Sequence, residues 1–119
     1  MDIETYREYC LAKRGVTEGT PFGPNVLVFK VGGKMFALTD ITLFESVNLK
    51  CEPEEAVRLR KAYPGSVKPG YHINKKHWNT VLTKGQVPDR ELLKWTDDSY
   101  RLVRETLPAK TRKMLSDEP

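Results

Sequence analysis

The alternation of apolar and polar positions divides the chain into helices and short strands. Ile3, Tyr6, Tyr9, Cys10 and Lys13 recur at helical spacing. With Asp2 as a cap they predict a first helix over residues 3–13. Gly15 ends it, as a glycine just past a helix does. Residues 17–25 carry two prolines and two glycines and read as a loop, with Phe22 at the core edge. Residues 26–31 and 34–39 are rich in β-formers. Gly32-Gly33 between them suits a tight hairpin turn. Leu27, Phe29 and Val31 then share one face, and Val26, Val28 and Lys30 share the other. A third strand follows over 46–51, where Val47, Leu49 and Cys51 alternate with Ser46, Asn48 and Lys50.

Pro53 opens a short helix, with Glu54 and Glu55 where the helix dipole favours negative charge. Ala56, Leu59 and Tyr63 form its buried stripe. Arg58, Arg60 and Lys61 lie on its solvent side and near its C-terminal end. Pro64-Gly65 and Pro69-Gly70 mark turns. Residues 71–74 read as a strand and 78–83 as its hairpin partner, turning near 74–77. Pro88-Asp89 starts the longest helix, to about residue 107. Leu92, Trp95, Thr96, Ser99, Leu102, Val103 and Thr106 line its apolar side. Pro108 breaks it, and 109–115 adds a last turn or two. The order α-β-β-β-α-β-β-α predicts an α+β two-layer sandwich. It has an antiparallel sheet of about five strands with helices on one face, in one domain of residues 1–119.

Composition narrows the class. A chain of 119 residues buries enough surface to fold without a metal or disulfide. Two cysteines, Cys10 and Cys51, suggest reduced thiols and a cytoplasmic setting. No apolar run approaches the roughly 20 residues of a membrane span. The first residues, MDIETYREY, lack the apolar stretch of a signal peptide. Charge is the uneven quantity. Between Glu55 and Asp89 there is no acid, and this window holds seven cations: Arg58, Arg60, Lys61, Lys68, Lys75, Lys76 and Lys84. They set the net charge of +4. Three of the seven are explained by a helix end and its solvated face, which leaves a cationic hairpin around 75–79.

Three segments, PFGPNVLVFKVGGKMFAL, VNLKCEPEEAVRLRKAYPG and PGYHINKKHWNTV, resemble the MmcQ/YjbR family of small bacterial proteins. The likeness runs from the first helix to the Pro108 region. It implies a two-layer fold similar to that of bacterial frataxin. It also implies DNA binding through a double-wing motif, the label this family commonly carries.

The candidate chemistry divides four ways. For DNA, the two hairpins act as the wings and phosphate contacts dominate. Lys75, Lys76, His77, Trp78 and Asn79 form the reading tip. Lys34 lies on the other wing, and Lys68, His72 and Lys84 flank. The bland alternative is a solvated turn, with lysines that blunt a sheet edge. A metal site would use His72, His77 and Cys51, but no CxxC or HExxH pattern supports it, so no metal is expected. Catalysis lacks GxSxG, P-loop and GxGxxG motifs. Cys51 falls on the apolar phase of its strand, as a structural thiol does, so neither an enzyme nor a cofactor is expected. The remaining reading is a protein- or ligand-interaction module, with or without homodimerisation, using Tyr71, Trp78 and Trp95.

Overall fold

One antiparallel sheet organises the protein, and helices cover one of its faces. The structure, a computed structural model, describes residues 1–70 and 73–116. The elements are α1 (Ile3–Leu11), β1 (Val16–Gly19), β2 (Val26–Val31), β3 (Lys34–Asp40), β4 (Ser46–Lys50), α2 (Pro53–Ala62), β5 (Val67–Pro69), β6 (Trp78–Leu82), α3 (Asp89–Glu105) and α4 (Ala109–Ser116). The strands pair in the order β1-β2-β3-β4-β6-β5. The α+β layout of the sequence reading therefore holds, with six strands where about five were expected.

Two strands differ from expectation. Val16–Gly19 reads as the start of a loop, yet it pairs with β2 from Val16↔Val31 to Gly19↔Val28. Its polar residues suit an edge strand that packs little, so periodicity gives no signal there. Val67–Pro69, ahead of the expected 71–74, pairs with β6. Tyr71 and His72 lie outside the described residues. Pro69 lacks a backbone donor, which an edge strand tolerates.

The core lies between the sheet and the helices. Leu27, Phe29 and Val31 of β2 meet Val47 and Leu49 of β4, Val81 of β6, and Tyr6, Leu92, Trp95 and Val103 from α1 and α3. Leu59 of α2 and Leu115 of α4 join the same cluster. Two polar links cross it. Thr96 Oγ1 donates to Leu92 O at 2.8 Å, so the Tyr6 hydroxyl must be the donor in its 2.8 Å bond to Thr96. Ser99 of α3 donates to Phe36 O at 2.5 Å and accepts from Lys50 N at 2.9 Å.

The Gly32-Gly33 turn forms as expected, with φ of +58° and +82°. Gly32 also lies against Leu107, where a Cβ would come within 2.6 Å of Leu107 Cδ1. The hairpin tip is thus locked onto the end of α3.

Burial also sets an alkaline limit. Desolvation pushes the Cys10 thiol from 9.0 up to about 12 and the Cys51 thiol up to about 11. An unfolded chain ionises these thiols near 9, so their contribution is complete below that value. It is lost as pH rises through 9 toward 12. Urea midpoints are expected to be flat from pH 7 to 8.5 and to fall steadily between pH 9 and 11. Double replacement by serine removes the part of that fall that the thiols cause.

Candidate nucleic-acid interface

Antiparallel pairing sorts the strand ends into two groups. One end carries the Gly32-Gly33 turn, the end of β4 and the β5–β6 connection. The other carries the β1–β2 loop, the β3–β4 loop and the turn after β6. Lys34, Lys75, Lys76 and His77 share the first end. Lys34 leans toward the helix layer, with Nζ 3.4 Å from Thr106 Oγ1. Lys84 is exposed at the opposite end, and Lys68 is exposed on β5.

Two members of the expected tip need correction. Trp78 is 8% exposed and Asn79 2% exposed. Both belong to β6 and are buried there: Trp78 lies opposite Lys50 on the same face of the sheet, and Asn79 lies opposite Leu49 on the helix side. Gly70 N donates to Trp78 O at 2.9 Å, and Gly70 packs so closely that a Cβ there would come within 2.9 Å of Trp78 Cβ. Asn79 faces α2, where its Nδ2 donates to Ala56 O at 3.3 Å.

Arg60 is corrected too. It lies half-buried and is not a solvated helix cation. Its Nε donates to Asn79 Oδ1 at 2.7 Å, and its Nη2 donates to Lys75 O and, at 3.4 Å, to Trp78 O. One guanidinium therefore ties α2, β6 and the lysine-bearing connection together. Lys76 N donates to Asn74 Oδ1 at 2.9 Å, and Cys51 N to His77 O at 2.7 Å. The backbone of the tip is fixed, while the Lys75 and Lys76 side chains are exposed.

The sheet's second face is left open by the helices. Strand alternation puts Lys30 of β2, Leu38 of β3, Asn48 and Lys50 of β4, Thr80 of β6 and Lys68 of β5 on it. Lys30 and Lys50 are half-buried, so their stems lie along the sheet while their ammonium groups reach water. Among the described residues no acid pairs with Lys30, Lys50, Lys68, Lys75 or Lys76. The two strand carboxylates are engaged elsewhere. Glu18 pairs with Arg7 of α1. Asp40 accepts from Leu43 N at 3.1 Å and Glu45 N at 3.0 Å in the β3–β4 turn. Lys30 and Lys50 are interface candidates that charge counting missed, because they lie outside the acid-free window. Their alternation against apolar neighbours was the available signal.

A pocket between the end of β4 and the end of α3 brings Cys51 and His77 together with Lys50, Glu52, Leu102, Glu105 and Thr106. Burial, then Glu55, Asp98 and Glu52, raise the Cys51 thiol to about 11. That shift is opposite to the activation a nucleophilic cysteine needs. Among the described residues no group of three or more His, Cys, Asp or Glu is placed to hold a metal ion. No described helix is long and apolar enough to cross a membrane.

The sequence profile of the YjbR family matches residues 11–102. The chain belongs to the YjbR family. The uncharacterized protein YjbR of Escherichia coli K12 is 34% identical over 116 residues, covering 97% of this chain and 98% of that protein. The uncharacterized protein YbdF of Escherichia coli O157:H7 is 39% identical over 94 residues, covering 78% of this chain and 76% of that one. A crystal structure from Deinococcus radiodurans, described with the domain DUF419, superposes with a TM-score of 0.91 at 40% identity, over 97% of this chain and 88% of that one. A Pseudomonas syringae protein matches at 0.72 and 28% identity, over 87% and 99%. The YjbR fold therefore recurs in several bacteria. The names of these YjbR relatives carry no activity, so function has to be argued from the surface.

Proposed function

We propose that this protein binds DNA, chiefly through phosphate contacts and with little base specificity. One observation carries the reading: Lys30, Lys50, Lys68, Lys75 and Lys76 lie on the open face and the adjoining tip with no acidic partner among the described residues. Unpaired surface lysines attract a polyanion and release its counterions. The shared end of the two hairpin tips supports the same reading. Asn79, bonded to α2, takes no part, and Lys84 at the far end contributes little.

Fluorescence anisotropy of labelled DNA at several salt concentrations tests it. Binding is expected to weaken linearly in log salt. Lys75→Ala and Lys76→Ala are each expected to reduce the slope by about one unit, and Lys84→Ala to leave it unchanged. Absence of binding at about 50 mM salt removes the proposal.

A second reading, a protein-interaction module, rests on the other end of the sheet. Phe22 is 63% exposed and Leu43 59% exposed, on the β1–β2 and β3–β4 loops. Ile41 N donates to Asn25 O at 2.8 Å and ties these loops together. Exposed apolar side chains on paired loops suit a protein partner. Under this reading Phe22→Ser abolishes partner capture and Lys75→Ala does not.

A further inference from the structure

The acid-poor face has an order that the lysine count does not convey. Lys30, Lys50 and Lys68 lie on β2, β4 and β5, the second, fourth and sixth strands of the sheet. Each is two strands from the next, about 10 Å across the sheet. Lys68 is level with Thr80 and Asn48, and Lys50 is level with Trp78. The cations thus form a row crossing the strands.

Between them the floor is not charged. A shallow groove there is lined by Ser46, Asn48, Lys68, Pro69, Thr80 and Leu82. Thr80 Oγ1 donates to Asn48 Oδ1 at 2.5 Å, and the Asn48 amide nitrogen keeps its donors free among the described residues. Met35 and Leu38, both half-buried, supply apolar surface on the same face.

We propose that single-stranded DNA lies across this open face, its phosphates on Lys30, Lys50 and Lys68 and its bases over the groove floor. This rests on the DNA-binding reading and specifies the form of the ligand and its path. A duplex is a cylinder and meets a sheet face along a narrow line, with its bases turned inward. A single strand lies flat. It offers phosphates to a row of cations while its bases reach apolar side chains and an amide donor. The row predicts phosphate-led binding with weak base preference, since among the described residues the floor offers few free side-chain donors, the Asn48 amide among them.

The test compares an oligothymidine of about 20 nucleotides, longer than one such site, with a hairpin duplex of equal charge. The single strand is expected to bind more tightly at about 50 mM salt. Combining Lys30→Gln, Lys50→Gln and Lys68→Gln is expected to lower its salt slope by about 2 units, with thermal melting retained. If the triple variant does not fold, Lys30→Gln and Lys68→Gln singly should each lower it by about 0.7. An unchanged slope in folded variants overturns the inference, as does tighter binding of the duplex. If Lys75→Ala and Lys76→Ala weaken binding while the face variants do not, DNA binding stands and this path falls. If neither nucleic acid binds, both fall.

Discussion

Ser99→Ala is expected to destabilise the protein by about 2–6 kcal/mol, because it leaves the buried Phe36 O and the part-buried Lys50 N without their partner. The β3–β4 ladder ends at Ala37↔Leu49. The groups beyond that rung are Phe36 O and Lys50 N, and both bond the Ser99 hydroxyl. A helix side chain thereby completes the ladder where β3 bulges against β2 between Phe29 and Lys30. Alanine fits the space, so the loss is one of hydrogen bonds and not of packing. Each orphaned group costs about 1–3 kcal/mol. The melting temperature should fall by on the order of 10 °C. Arg101→Ala, an exposed change on the same helix, should stay within about 0.5 kcal/mol. A Ser99→Ala loss no larger than the Arg101→Ala loss would show that water replaces the hydroxyl.

Arg60→Ala and Asn79→Ala should each cost about 1.5–3 kcal/mol, since a charged donor and a buried amide share one bond. Their combination should cost less than the sum, with a coupling of about 1 kcal/mol. The functional consequence is separate from stability. Arg60 holds Lys75 O and Trp78 O, so its loss frees the connection that presents Lys75 and Lys76. Amide exchange in residues 74–77 is expected to quicken, and DNA affinity to fall although neither lysine is altered. Additive costs with unchanged exchange would mean that Arg60 is only a solvated cation.

Much of this was legible in the chain. The hairpin at Gly32-Gly33, the alternation in β4 and the stripe on α3 each follow from period and turn chemistry. What the sequence hid shares one cause. Val16–Gly19 has no pattern because an edge strand is specified by its neighbour's free edge. Ser99 sits on an apolar stripe, and nothing nearby in sequence marks it as the partner of β3 and β4. Arg60 is a helix cation like Arg58 until the fold brings Asn79 beneath it. Trp78 and Asn79 follow a basic turn and read as part of it, but the strand begins at Trp78 and buries them.

The candidate interface shifted for the same reason. Counting acids along the chain found Lys68, Lys75 and Lys76, which the structure leaves exposed. It could not find Lys30 and Lys50, which lie outside the acid-free window, nor exclude Lys84, which lies inside it.

The sequence by itself determined most of the element types, the apolar faces and membership of the YjbR family, because these rest on local period and on turn residues. Only the tertiary structure decided which cations share a surface. Strand order is set by long-range pairing, and pairing brings β2, β4 and β5 onto one open face from distant parts of the chain.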